Sequence, residues 1–91
     1  MSFKISVLLV DDHAVVRTGY KIYLSKSERI DQIYETDRGE SACQIYERQK
    51  PDVVVMDLSM PGLGGFESIR RLIKRHPACK VLVFSIHNEL I

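Results

Sequence analysis

The sequence predicts a three-layer α/β domain built on a doubly wound parallel sheet. Three observations predict it. Short, predominantly apolar and largely β-branched runs stand at 5–10, 53–56 and 80–84, the composition of strands buried on both faces. Amphipathic stretches of helix length separate the runs, and connections of that length join parallel strands rather than hairpins. Each run stops at a carboxylate or a hydroxyl residue, Asp11, Asp57 and Ser85.

Ile5–Val10, reading I-S-V-L-L-V, is the first strand and is bounded by Asp11 and Asp12. Residues 13–25 follow as an amphipathic helix, with Val16, Tyr20, Tyr23 and Leu24 at helical spacing. Ile30–Thr36 is a weaker, partly exposed strand and reads as an edge. Asp37, followed three residues later by Glu40, resembles a capping arrangement for a second helix that carries Ala42, Ile45 and Tyr46 and ends at Lys50-Pro51. Val53–Met56 is a buried strand stopping at Asp57, and the stretch 59–65 (S-M-P-G-L-G-G) reads as a loop. Phe66, Ile69, Leu72 and Ile73 mark a third helix, with Ile69, Leu72 and Ile73 on its inner face, closed by His76-Pro77. Lys80–Phe84 is a fourth strand ending at Ser85, and a fourth helix is expected to begin within 87–91. The order βαβαβαβ calls for right-handed crossovers with helices on both faces.

Composition narrows the function. Thirteen Lys and Arg against 12 Asp and Glu leave a net charge of +1, which argues against a dedicated binder of nucleic acid or membrane surfaces. A hydrophobic fraction of 45% and a charged fraction of 27% are those of one globular domain, here taken as residues 1–91. No apolar run approaches the ~20 residues that cross a bilayer, and the short N-terminal run leads into two aspartates rather than a cleavage site. Cys43 and Cys79 lie outside any C-x-x-C spacing, so neither a zinc site nor a disulfide framework is expected, and a reducing cytoplasm is the default.

In an open parallel sheet, functional groups gather beyond the carboxyl ends of the strands, where strand order reverses. With the flavodoxin-like order 2-1-3-4, Asp11, Asp12 and Asp57 meet in one cleft beside the Ser85 hydroxyl. Each aspartate alone reads as an ordinary strand-ending turn former; their joint placement favours a site. Three like charges at close range repel unless a cation joins them. Mg²⁺ suits an incomplete cage of hard oxygen ligands that is open to a phosphate. A carboxylate beside such an ion can accept a phosphoryl group, and Asp57, alone on its strand end, is the candidate, with Ser85 donating a hydrogen bond to a phosphoryl oxygen.

The residues V-L-L-V-D-D-H at 7–13, Arg17-x-Gly19, the stretch from Pro51 to Gly65 and K-V-L-V-F-S at 80–85 resemble the receiver domain of two-component response regulators. In detail they are most similar to the NarL/LuxR-type transcriptional regulators. The resemblance implies that Asp57 is phosphorylated by a sensor histidine kinase and that Asp11, Asp12, Asp57 and the Ser59 carbonyl hold Mg²⁺. It also implies that Ser85 is the switch hydroxyl and that the domain is a signalling module, not an enzyme, controlling a DNA-binding output domain. Such domains carry a fifth strand with a lysine, an aromatic switch residue and two more helices. None of these is found in the 91 residues, nor is a helix-turn-helix output domain, so the sequence reads as a receiver domain truncated at its C-terminal end. Val81–Phe84 would then form an open apolar edge, and homodimer or edge-strand association is expected.

Two other readings share the carboxylate cluster. A Mg²⁺-dependent phosphohydrolase with an aspartyl-phosphate intermediate usually shows D-x-D after the first strand, whereas here the pair is adjacent. A receiver-like interaction module that takes no phosphate fits the absent lysine strand. The remaining signals read as structure. Arg70, Arg71, Lys74, Arg75 and Lys80 are expected on a solvated face, the glycines at 62, 64 and 65 in a loop, His13 at the surface of a helix start, and His76 and His87 in loops.

Overall fold

The fold was obtained as a computed structural model and is described for residues 3–58 and 64–84. Four strands, β1 (Ile5–Val10), β2 (Ile30–Thr36), β3 (Val53–Asp57) and β4 (Val81–Phe84), alternate with three helices, α1 (Ala14–Ser25), α2 (Ala42–Gln49) and α3 (Gly64–Arg75). The sheet is parallel with the expected flavodoxin-like order β2-β1-β3-β4. The expected loop at 59–63, Ser59 included, and Ser85 with the expected fourth helix lie outside the described residues.

Strand alternation divides the core in two. Leu8, Val10, Val54 and Met56 face α2 and α3, where they pack with Ala42, Cys43 and Leu72. Val7, Leu9 and Val55 face the opposite side with Leu24 of α1. Two-sided burial explains why β1 and β3 are continuous apolar runs rather than alternating ones. β2, which pairs only with β1 among the described residues, is the half-exposed edge that its composition predicts.

Three local expectations need correction. The inner face of α1 is narrower than expected. Val16 and Leu24 are half-buried and the Tyr20 ring lies 5.0 Å from that of Phe84, but Tyr23 is 74% exposed. Positions 16, 20 and 24 form one line along the helix, and Tyr23 stands about 100° round from Leu24. The Asp37–Glu40 cap does not form: a 3₁₀ turn at Gly39–Ser41 precedes α2, with no side-chain cap on either element. There the chain is drawn against α3, and a Cβ on buried Gly39 would fall on Ser68 Oγ.

The third correction concerns α3. Gly64 and Gly65 are its first residues rather than loop, and its buried stripe is Gly65, Ser68 and Leu72, while Ile73 and Phe66 are exposed. A Cβ on Gly65 would stand 2.5 Å from the Asp57 carbonyl oxygen and 2.7 Å from Leu58 Cα. α3 therefore begins directly on the end of β3, and only glycine fits there. Gly64, at φ +78°, supplies the left-handed entry. Ser68 can be buried because its hydroxyl donates to Gly64 O at 2.9 Å.

The basic residues of α3 lie on its outer face as expected: Arg70 and Arg71 pair with Glu67, and Arg75 with Glu47. His76 lies in the loop after α3 as expected, partly buried, with its ring 4.7 Å from that of Tyr46. Cys43 and Cys79 are free thiols associated with the core. Among the described residues, no helix is long and apolar enough to cross a membrane.

Candidate functional site

Register delivers the carboxylates. Val10 pairs with Met56, so the residues that follow, Asp11 and Asp57, emerge side by side at the carboxyl edge of two adjacent strands. Both are buried, at 2% and 0% exposure, and Asp12 is 26% exposed at the rim. One ligand atom from each of Asp11, Asp12, His13 and Asp57 lies within 4.8 Å of the others. The three predicted aspartates are thus brought together.

The His13 imidazole was expected at the surface and is half-exposed, yet its Nδ1 faces inward. It stands 3.3 Å from Asp11 Oδ1, 3.0 Å from Asp12 Oδ1 and 3.6 Å from Asp57 Oδ2. The hydrogen bond to Asp11 and the charge of Asp12 push its pKa upward, because nearby carboxylates favour the protonated ring. Asp11 is also raised, chiefly by burial and further by the charge of Asp57, against the lowering effect of the His13 backbone N–H. That N–H donates to Asp11 Oδ1 at 2.9 Å, while among the described residues no hydrogen-bond donor reaches the buried Asp11 Oδ2.

A buried carboxylate with a raised proton affinity and an unused oxygen is a poor way to stabilise a fold and a good way to hold a cation. The donors are mostly hard carboxylate oxygens, which suit a small hard divalent ion; the imidazole is the softer member of the set. Asp57 sits deepest, at the end of its strand, with Gly65 keeping its carbonyl side free of any side chain.

One contributor escaped the reading of the sequence. Arg17, on the first turns of α1, donates from Nη1 to the Asp11 carbonyl at 2.6 Å and from Nε to Glu35 Oε1 on β2 at 2.9 Å. Its place in the Arg17-x-Gly19 motif was the signal available. The contact with a backbone carbonyl was not readable from side-chain chemistry.

Residues 7–91 match the family described as response regulator receiver domain. The chain is 40% identical over 86 residues to the transcriptional regulatory protein DegU of Brevibacillus brevis, covering 94% of this chain and 36% of DegU. It is 42% identical over 85 residues to the response regulator GacA of Pseudomonas aeruginosa, covering 93% of this chain and 40% of GacA. A solved two-component response regulator of the LuxR family from Aurantimonas superposes with a TM-score of 0.87 at 34% identity, over 93% of this chain and 61% of that one. The chain therefore spans well under half the length of DegU and GacA.

Proposed function

The chain belongs to the response regulator receiver family, of the NarL/LuxR type, and from that premise we propose that it is a phosphoacceptor signalling module with Asp57 as the acceptor. The observation that carries the reading is the buried Asp57 carboxylate lying among Asp11, Asp12 and His13 at the carboxyl edge of β1 and β3.

In this reading Asp11, Asp12 and Asp57, with the Ser59 carbonyl, hold Mg²⁺, and the donor set fits a hard ion. When bound, the ion supplies positive charge against the transferring phosphoryl oxygens. Asp57 Oδ attacks the phosphorus of a phosphohistidine on a sensor histidine kinase. The P–O bond forms, the P–N bond breaks, and the departing imidazole nitrogen takes up a proton. Burial keeps bulk water from the acceptor. Ser85 acts as the switch hydroxyl, donating to a phosphoryl oxygen.

The relatives' names support transcription control as the output, with this chain as the receiver part of a regulator that acts on DNA through an output domain. A cytoplasmic location goes with that role. Association with a second copy through β4, where Leu82 is 61% and Val83 42% exposed, belongs to the same reading.

Incubation with an acyl phosphate and Mg²⁺, followed by intact mass and peptide mapping, tests the assignment. One phosphoryl group mapping to Asp57, and none on Asp57→Asn, is expected. Label that survives the substitution, or phosphodonor turnover by Asp57→Asn at the wild-type rate, contradicts it.

A further inference from the structure

The peptide that joins Asp11 to Asp12 is held at its carbonyl and through hydrogen bonds on either side of it. The Asp11 N–H donates to Thr36 O on β2 at 3.1 Å, fixing the near side. Arg17 Nη1 takes the Asp11 carbonyl at 2.6 Å, fixing the plane of the peptide. Asp11 Oδ1 caps the His13 N–H at 2.9 Å, and His13 O in turn accepts from Arg17 N at 2.8 Å. The direction in which the Asp12 side chain leaves the backbone is set by that peptide plane, because ψ of Asp11 and φ of Asp12 are the two soft torsions flanking it.

Arg17 is itself oriented. Its side chain is only 18% exposed, and its Nε lies on Glu35 Oε1 while Lys21 Nζ occupies Glu35 Oε2 at 2.6 Å. One guanidinium thus spans from the edge strand β2 to the backbone of the carboxylate cluster, using two donors that point in different directions. A lysine has the charge but not the fork.

We infer that Arg17 is a positioning residue for the cation site: through its hydrogen bond to the Asp11 carbonyl, with Glu35 as its anchor, it holds the Asp11–Asp12 peptide in the orientation that presents both carboxylates to the ion. The inference rests on the proposed Mg²⁺ site and adds a residue that never touches the ion or the phosphoryl group. It assigns the α1–β2 ion pair a task beyond joining two elements.

Four forms of the full chain decide it, each first shown to melt cooperatively: Arg17→Gln, Arg17→Lys, Glu35→Gln and, as the control, Lys21→Ala. Lys21→Ala removes the other partner of Glu35 and nothing from Asp11. Mg²⁺ affinity by calorimetric titration is expected to fall about tenfold or more in Arg17→Gln, the size typical of groups that orient metal ligands. Arg17→Lys is expected to fall nearly as far, Glu35→Gln less, and Lys21→Ala to stay at the wild-type value. Acyl-phosphate labelling of Arg17→Gln is expected to recover at saturating Mg²⁺, as a change in affinity rather than in chemistry requires. In metal-free protein, exchange of the His13 amide is expected to quicken in Arg17→Gln and not in Lys21→Ala.

Unchanged His13 exchange in Arg17→Gln overturns the inference, with or without metal. So does full rescue by Arg17→Lys, which would make charge the cause, or an equal loss of affinity in Lys21→Ala, which would make it α1 packing. The proposed function fails separately: wild-type chain that binds no Mg²⁺ or takes no label at Asp57 sinks that reading, and the His13 exchange comparison still decides the role of Arg17.

Discussion

Asp11 and Asp57 are buried carboxylates whose charges oppose one another, and Glu35 is a carboxylate whose charge is wanted. The hydrogen bond from Lys21, then that from Arg17, holds the Glu35 pKa below its ordinary value of 4.5. A depressed carboxyl pKa contributes stability that is fully present above the unfolded value and is lost as pH falls through the folded one. Glu35→Gln is therefore expected to melt below wild type at neutral pH, with the gap closing as pH drops from about 4.5 downward. Thermal melts of the two proteins across that range check it; a gap that persists in acid means the carboxylate contributes through something other than its charge. The aspartates were legible in the sequence because each ends an apolar run, and position at a strand end is a feature that sequence displays. The inward turn of His13 Nδ1 was not legible, since a side-chain rotamer depends on charges that only the fold brings near. Arg17 stayed hidden because its partner is a carbonyl, and every residue has one.

The elements divide along the same line. β1 and β3 were readable because two-sided burial demands apolar residues at every position, and β2 because an edge strand tolerates Asp31, Gln32 and Glu35. α3 was read correctly at Leu72 and Ile69, which pack on the core, and wrongly at Ile73. Hydrophobicity pointed to Ile73, while the fold buries Gly65 and Ser68, because a helix that starts on the end of β3 must present small residues there. The Asp37–Glu40 cap is absent for a related reason: the close approach of Gly39 to Ser68 goes with a 3₁₀ turn at Gly39–Ser41 in place of a capped helix start. Gly65→Ala tests this packing. The added methyl meets backbone atoms of Asp57 and Leu58, which cannot swing aside as a side-chain tip can, so a loss of about 1–3 kcal/mol is expected in denaturant unfolding. Because the displaced atoms include the Asp57 carbonyl, weaker Mg²⁺ binding is expected with it. An unchanged midpoint would show that α3 does not press on β3 as described.

At the scale of the molecule, one topological fact produces the site: the order β2-β1-β3-β4 makes β1 and β3 neighbours, and their register brings Asp11 beside Asp57. The two core clusters on either face of the sheet hold those strands in place, so the carboxylates cannot separate to relieve their repulsion. The fold is then less stable without a cation than its packing alone would make it, and a bound ion stabilises it by mass action. Thermal melting of wild type and Asp57→Asn, each with and without Mg²⁺, measures both consequences at once. The expected result is that Asp57→Asn melts above wild type in the absence of metal, while Mg²⁺ raises the wild-type midpoint and leaves that of Asp57→Asn nearly unmoved. A variant that melts below wild type without metal and gains as much from Mg²⁺ as wild type does would contradict a carboxylate cluster built to hold a cation.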